Sequence, residues 1–307
     1  MNRLFRTMIP ALAMMALLAV TPGLVTAQAD IFSAFDDARI RELGYPEVTV
    51  EASPDGVTAP AELAAGVYMV TLVPIDRPIA YLDIMQPPPG LSEEEATQLA
   101  LDAGANDLAQ ADWVYLGGSN TFEPGEPVSF VINLPPGEYQ WAASSYSEGG
   151  DDEVMHLAPL TVTAGEATPA AATAALPEAD VVLEMTDDLE YIVTPDPVPA
   201  GTQIWEITNT GMHSPHHVVM FGVPEGTTSE QIVGEFGAMM SGTPPAGEPL
   251  MAQFTGVAYA ALQSGGQTTW NAWNLEPGSY AVICFIIDPV TGRPHVLDGM
   301  ATVFTVA

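Results

Sequence analysis

Val128-Ser129-Phe130-Val131-Ile132-Asn133-Leu134-Pro135-Pro136-Gly137-Glu138-Tyr139 and Thr268-Thr269-Trp270-Asn271-Ala272-Trp273-Asn274-Leu275-Glu276-Pro277-Gly278-Ser279-Tyr280 carry one pattern twice. In each, an apolar strand ends on leucine, a Pro-Gly turn follows, and the next strand opens on tyrosine. Working outward, the repeat continues. Gly66-Val67-Tyr68-Met69-Val70-Thr71-Leu72 answers Gly201-Thr202-Gln203-Ile204-Trp205-Glu206-Ile207, and Val48-Thr49-Val50 answers Val181-Val182-Leu183. The copies close on Leu160-Thr161-Val162-Thr163 and Thr302-Val303-Phe304-Thr305-Val306. Each holds one short helix signal, where a hydroxyl and a carboxylate fit a capping box: Ser92 to Glu95, and Thr227 to Glu230. Short strands broken by Gly and Pro turns at roughly ten-residue intervals argue for antiparallel sandwiches. The expected architecture is all-β: two tandem Greek-key β-sandwiches, each with a short inserted helix. An Ala/Pro/Thr-rich linker over 164–179 separates a first domain, 30–163, from a second, 180–307.

The first 29 residues read as an export signal. Arg3 and Arg6 supply a basic start, Ala11 to Val20 an apolar run, and Val25-Thr26-Ala27 and Ala27-Gln28-Ala29 a choice of small-x-small cleavage sites. The run is short for a bilayer span, and no other stretch is long enough. A soluble periplasmic or extracellular chain, with no transmembrane span once mature, is expected. An uncleaved tether is the alternative. The formal charge is −33 at pH 7, and all six basic residues are arginine. Nucleic-acid binding is excluded on that ground, because phosphate contacts need a basic patch. The acidity suits both a surface adapted to high salt and steering toward a basic redox partner protein. The single cysteine, Cys284, leaves no intrachain disulfide, no CxxC motif and no two-cysteine binuclear copper centre.

Around that cysteine lies Cys284-Phe285-Ile286-Ile287-Asp288-Pro289-Val290-Thr291-Gly292-Arg293-Pro294-His295, followed by Met300, while Pro215-His216-His217-Val218-Val219 stands well upstream. The upstream segment resembles the Pro-His-Asn-Val-Val segment of plastocyanin-like cupredoxins. Pro294-His295-Val296-Leu297-Asp298-Gly299-Met300 resembles their Pro-His-x-x-x-Gly-Met segment, and Tyr280-Ala281-Val282-Ile283-Cys284 their Tyr-x-x-x-Cys approach. The resemblance covers Val181 to Val306. It implies a cupredoxin-like fold and one type 1 copper ion, held by His216, Cys284 and His295 with Met300 as the weak axial ligand. Soft sulfur favours Cu(I), and imidazole serves both oxidation states. In one respect the chain departs from the family. Ten residues separate Cys284 from His295, far more than in plastocyanins, and Asp288-Pro289-Val290-Thr291-Gly292 is a strong turn signal. A hairpin-like excursion that returns His295 to the metal is expected.

The other histidines are read differently. His217 takes the place of the family's loop-tying asparagine, which suggests a supporting rather than a ligating role. His213 is expected to be exposed near the metal, with replacement of His216 as the alternative. His156 is expected to be structural or superficial. On the repeat, Pro78-Ile79 stands where Pro215-His216 stands, and Ala143 where Cys284 stands, so the first domain is a degenerate copy without metal ligands. The methionines Met212, Met220, Met239, Met240 and Met251 read as packing, or as a soft Cu(I) contact surface. The resulting expectation is an exported single-copper electron carrier with a protein partner, not an enzyme. A copper chaperone or store, or a metal-free interaction module, is the second reading. Multicopper oxidases and copper nitrite reductases resemble this chain in fold. They need several more histidines, and this chain has five and no His-x-His pair.

Overall fold

The computed structural model describes residues 34–104, 112–121, 125–147, 153–165, 175–242, 248–288 and 290–307. The expected export signal and the middle of the expected linker lie outside them.

The first copy consists of α1 (Asp37–Arg41), β1 (Glu47–Ser53), β2 (Gly56–Thr58), β3 (Glu62–Ala64), β4 (Gly66–Pro74), β5 (Ile79–Gln86), α2 (Glu93–Gly104), β6 (Val114–Thr121), β7 (Val128–Leu134), β8 (Gly137–Tyr146) and β9 (Glu153–Thr163). The second consists of β10 (Val181–Met185), β11 (Tyr191–Thr194), β12 (Gly201–Asn209), β13 (His216–Val223), α3 (Ser229–Met240), β14 (Thr255–Gln263), β15 (Thr268–Leu275), β16 (Gly278–Ile283) and β17 (Ala301–Val306). The repeated turn has one physical basis. The Tyr139 hydroxyl donates to Pro135 O at 2.9 Å and the Tyr280 hydroxyl to Glu276 O at 2.8 Å, so each tyrosine ties the second strand back to the corner before it.

The strands form two mixed sheets that run through both copies. One has the order β11-β10-β12-β15-β7-β4-β1-β2, the other β17-β16-β13-β14-β6-β5-β8-β9-β3. At the joint, β15 pairs antiparallel with β7 (Trp270 opposite Val131) and β14 with β6 (Gln263 opposite Leu116). β15 and β7 are equivalent strands of the repeat, as are β14 and β6. Their antiparallel meeting relates the copies by an approximate two-fold axis. Each copy keeps its own interior. One is built on Val50, Leu72, Leu82, Phe130 and Trp141, the other on Leu183, Trp205, Met220, Trp273 and Cys284.

Gly117 and Gly118 let β6 pass between the copies. A Cβ on Gly117, whose φ is +115°, would stand 2.6 Å from Thr269 Cγ2, and one on Gly118 would meet Leu82 O of its own copy and stand 3.2 Å from Ala261 Cβ of the other. Glycine inside a strand commonly marks such a close approach. Residues 34–41 clasp the same joint. Phe35 bridges to Trp273, Asp36 N donates to Ala272 O at 2.9 Å, and Ile40 packs with Val131, Ile204 and Trp270.

Two expectations move by one residue. The Ser92–Glu95 box forms as read, with Ser92 N donating to Glu95 Oε2 at 2.9 Å. At α3 the box is Thr228 with Gln231, not Thr227 with Glu230. Thr227 N is taken by the turn carbonyl of Pro224, so the cap falls one residue later. In the first copy, Ala142 lies opposite Asp83, as Ile283 lies opposite Val219 in the second. With Tyr139 matched to Tyr280, His216 corresponds to Ala80 rather than to Ile79. Strand register, not the preceding proline, sets the equivalence.

No helix among the described residues is long and apolar enough to cross a membrane.

Asp83 adds a pH dependence to the joint. Its Oδ1 accepts Leu262 N at 3.3 Å, and burial raises its pKa to about 7. The folded state therefore holds this proton more tightly than the unfolded chain, and the group's contribution falls as pH rises from about 4 through 7. Asp83→Asn removes that slope. Urea denaturation at pH 5 and pH 8 is expected to show a smaller loss of stability toward pH 8 in the variant than in the parent.

Candidate metal centre

Backbone register assembles the centre before any side chain contributes. β13 lies beside β16 (Val219 opposite Ile283), and β16 lies beside β17 (Ile283 opposite Ala301). His216 opens β13, Cys284 follows the last residue of β16, and Met300 precedes the first of β17. Three of the four expected ligands thus sit at one end of three neighbouring strands. Alternation turns Val218, Met220, Val282, Cys284 and Met300 into the interior. Cys284 N donates to Met300 O at 3.2 Å.

The fourth residue, His295, comes from the long loop, and the loop is a hairpin as expected. Val296 N donates to Cys284 O at 2.9 Å, His295 N to Ile286 O at 2.9 Å, and Ile287 bridges antiparallel to Pro294. At the tip, the Asp288 carboxylate accepts Val290 N at 2.8 Å and Thr291 N at 2.6 Å, and Gly292 takes a left-handed φ of 67°. The excursion leaves and returns at the same place, so its length does not separate Cys284 from His295. Met300 N then donates to His295 O at 3.0 Å, which closes the turn His295–Asp298 onto β17.

One ligand atom each from His216, Cys284 and His295 lies within 4.8 Å of the other two, and all three residues are buried. His216 Nδ1 is 3.1 Å from His295 Nδ1, and Cys284 Sγ is 3.5 Å from the same nitrogen. These edges fit a shared ion. Two nitrogens each about 2.0 Å from a divalent metal lie roughly 3.1 Å apart at an angle of about 100°, and a thiolate at about 2.3 Å lies roughly 3.5 Å from such a nitrogen. Met300 is fully buried in the same cluster as Cys284.

The electrostatics suit metal uptake. Burial, then the neighbouring His295, lowers His216 to about 4, and burial lowers His295 against the pull of Asp288 and Asp298. Both shifts favour the neutral ring, the form that ligates. Asp288 Oδ2 stands 3.9 Å from His295 Nε2, behind the ring. Burial pushes the Cys284 thiol up to about 11, although the His217 and Ile286 N–H groups and the Tyr191 hydroxyl favour its thiolate. Metal binding here must release a proton.

His217 supports and does not ligate. Its buried Nε2 accepts Phe285 N at 2.9 Å, tying β13 to the residue after the cysteine. His213 is exposed and bonded through Nδ1 to Asp187 Oδ2 at 2.8 Å, and it does not replace His216. Partly buried His156 bonds Pro54 O at 2.8 Å in the first copy. Met212 is exposed beside His213, Met239 and Met240 are exposed on α3, and Met220 and Met251 are core. In the first copy, Ala80 and Ala143 stand at the positions of His216 and Cys284, and both are buried.

No family model matches the chain, and no curated protein matches it. Among solved structures it is similar to reduced auracyanin from Roseiflexus castenholzii, at 22% identity over 41% of this chain and 94% of that one, with a TM-score of 0.26. It is also similar to auracyanin A, a "blue" copper protein from Chloroflexus aurantiacus, at 18% identity over 41% of this chain and 98% of that one, with a TM-score of 0.26. A copper-containing nitrite reductase from Thermus scotoductus SA-01 matches over 86% of this chain and 61% of its own, at 10% identity and a TM-score of 0.22.

Sequence reasoning passed over Tyr191, whose hydroxyl donates to His217 O at 2.5 Å. Nothing in Glu190-Tyr191-Ile192 marks it. It likewise passed over Asp187, and it read Asp288 only as part of a turn and not as a neighbour of His295, because acids are too common in this chain for one of them to stand out.

His217→Leu strands the buried Phe285 N–H. The variant is expected to lose about 1–3 kcal/mol, read by chemical denaturation of the metal-free protein.

Proposed function

We propose that this chain is an exported blue copper protein that passes single electrons to or from a protein partner through one copper ion in its second copy. The observation that supports this most is the meeting of His216 Nδ1, His295 Nδ1 and Cys284 Sγ in a buried cluster. Two imidazoles and one thiolate, with Met300 beside them, are the donor set of a blue-copper electron-transfer site. Bound there, copper would supply a one-electron couple. The protein's part is to hold His216, Cys284 and His295 on hydrogen-bonded strand ends, keep the rings neutral and keep water out. A fixed, dry donor set changes little between oxidation states, which suits fast electron transfer.

Burial weighs against storage or delivery. His216, Cys284 and His295 are 0%, 0% and 2% exposed, whereas handing over an ion needs an open ligand. The other three histidines are already engaged, His156 with Pro54, His213 with Asp187 and His217 with Phe285, which favours a carrier over an enzyme with further copper sites. The first copy, with alanines in place of ligands, would serve as a metal-free packing or docking domain. Export, the periplasmic or extracellular location and a basic redox partner complete the reading, on the strength of the N-terminal segment and the charge of −33.

Cupric titration of the purified protein tests it. One equivalent should produce an intense thiolate-to-copper absorption band that bleaches on reduction and returns on oxidation. Cys284→Ser should abolish the band while far-UV circular dichroism stays unchanged. A parent protein that binds Cu(II) and remains colourless would overturn the proposal.

A further inference from the structure

His216, Cys284 and His295 are buried, so an ion on its way to them must first meet the protein elsewhere. Three residues ahead of His216, the loop between β12 and β13 carries His213, the one exposed histidine among the described residues, with exposed Met212 just before it. Met212 is 80% exposed, so packing, the ordinary role of a methionine, does not account for it. Met239 and Met240 are exposed on α3, with no histidine beside them in the sequence.

The Asp187 carboxylate holds the pair in place. It accepts Met212 N at 2.9 Å, His213 N at 3.0 Å and His213 Nδ1 at 2.8 Å. Asn209 ties the loop at both ends, its side chain accepting Gly211 N at 3.0 Å and donating to Ser214 O at 2.9 Å. An ionised carboxylate only accepts, so His213 Nδ1 is the donor, and the neutral ring keeps its lone pair on Nε2. A histidine that donates one ring N–H to a carboxylate is oriented to ligate through the other nitrogen.

We propose that Met212 and His213 form a surface landing site for Cu(I), from which the ion passes to the buried centre. The inference rests on the copper reading above. The charge of −33 gathers cations of every kind, but carboxylates suit hard ions, whereas a thioether beside an imidazole selects Cu(I). Two ligands hold an ion weakly, and a landing site must let go. Three extended residues span at most about 11 Å, so the backbone of His213 stands within that distance of His216. The step is a ligand exchange. Met212 Sδ and His213 Nε2 release the ion, His216, Cys284 and His295 take it, the thiol proton leaves to water, and copper stays Cu(I) throughout. The bond to Asp187 uses Nδ1 alone, and the pair is a way in rather than a second copper centre.

Two measurements test this. In Cys284→Ser, which lacks the competing thiolate, Ag(I) as a soft stand-in for Cu(I) should shift the Met212 methyl and His213 Hε1 NMR resonances together and leave the Met239 and Met240 methyls in place. In Met212→Leu/His213→Gln, which keeps both backbone bonds to Asp187, micromolar Cu(I) supplied without oxygen should enter the centre about tenfold more slowly, followed by the thiolate-to-Cu(I) ultraviolet absorption. Once loaded and oxidised, this variant should match the parent in visible band and potential, which separates slow entry from damage to the centre. If its band differs, Met212→Leu alone, which keeps the ring and all three bonds to Asp187, takes its place in the loading test. Loading at the parental rate, or silver that moves neither resonance, would overturn the inference. A parent protein with no visible band would defeat the copper reading instead, and the silver shifts would still decide the surface site.

Discussion

The register between β13 and β16 is the constraint on which the centre depends. Val219 opposite Ile283 puts His216 and Cys284 at one end of neighbouring strands and turns both into the interior. A slip of one residue would send either side chain to the opposite face, where Phe221 and Phe285 form a separate cluster with Phe236 of α3. The bond from Phe285 N to His217 Nε2 and the ladder from Cys284 to Val296 hold that register from both sides. These ties are backbone bonds or bonds to buried rings. The donor set is therefore assembled by the sheet, whatever ion it takes.

The first copy matters to the second through the joint. Equivalent strands meet antiparallel in both sheets, so each copy covers an edge that the other would expose. An uncovered edge is a template for unwanted pairing, and closing it against a degenerate copy is one way to remove that hazard. Gly117 and Gly118 make the approach possible, and residues 34–41 clasp it from outside. The cost is a carboxyl at the seam: Asp83 is held against Leu262 N in a setting that favours its neutral form.

Much of this was open to a reader of residues alone. The Leu-Pro-Gly-Tyr corner repeats because a tyrosine hydroxyl needs a carbonyl four residues back, a local interaction that leaves a local signature. Asp288 to Gly292 announce a turn for the same reason, and the turn delivers His295 where the spacing alone left its return in doubt. Local reasoning failed by single residues. Thr227 and Thr228 are equally good caps in sequence, and only the Pro224 turn chooses between them. Ile79 follows a proline as His216 does, yet Ala80 occupies its place, because the partner strand sets the count.

Residue types and their order determined which groups could form a centre, since one cysteine, five histidines and a nearby methionine admit few combinations. They also determined that the fold repeats, through apolar alternation and turn chemistry that act over a few residues. Tertiary structure decided what lies far apart along the chain: the fusion of two copies into shared sheets, the tie from His217 to Phe285, and the placing of Tyr191 against His217 in the interior that also holds Cys284. Those contacts join residues dozens of positions apart. They exist because strands pair side by side in space, an arrangement that no short stretch of sequence records.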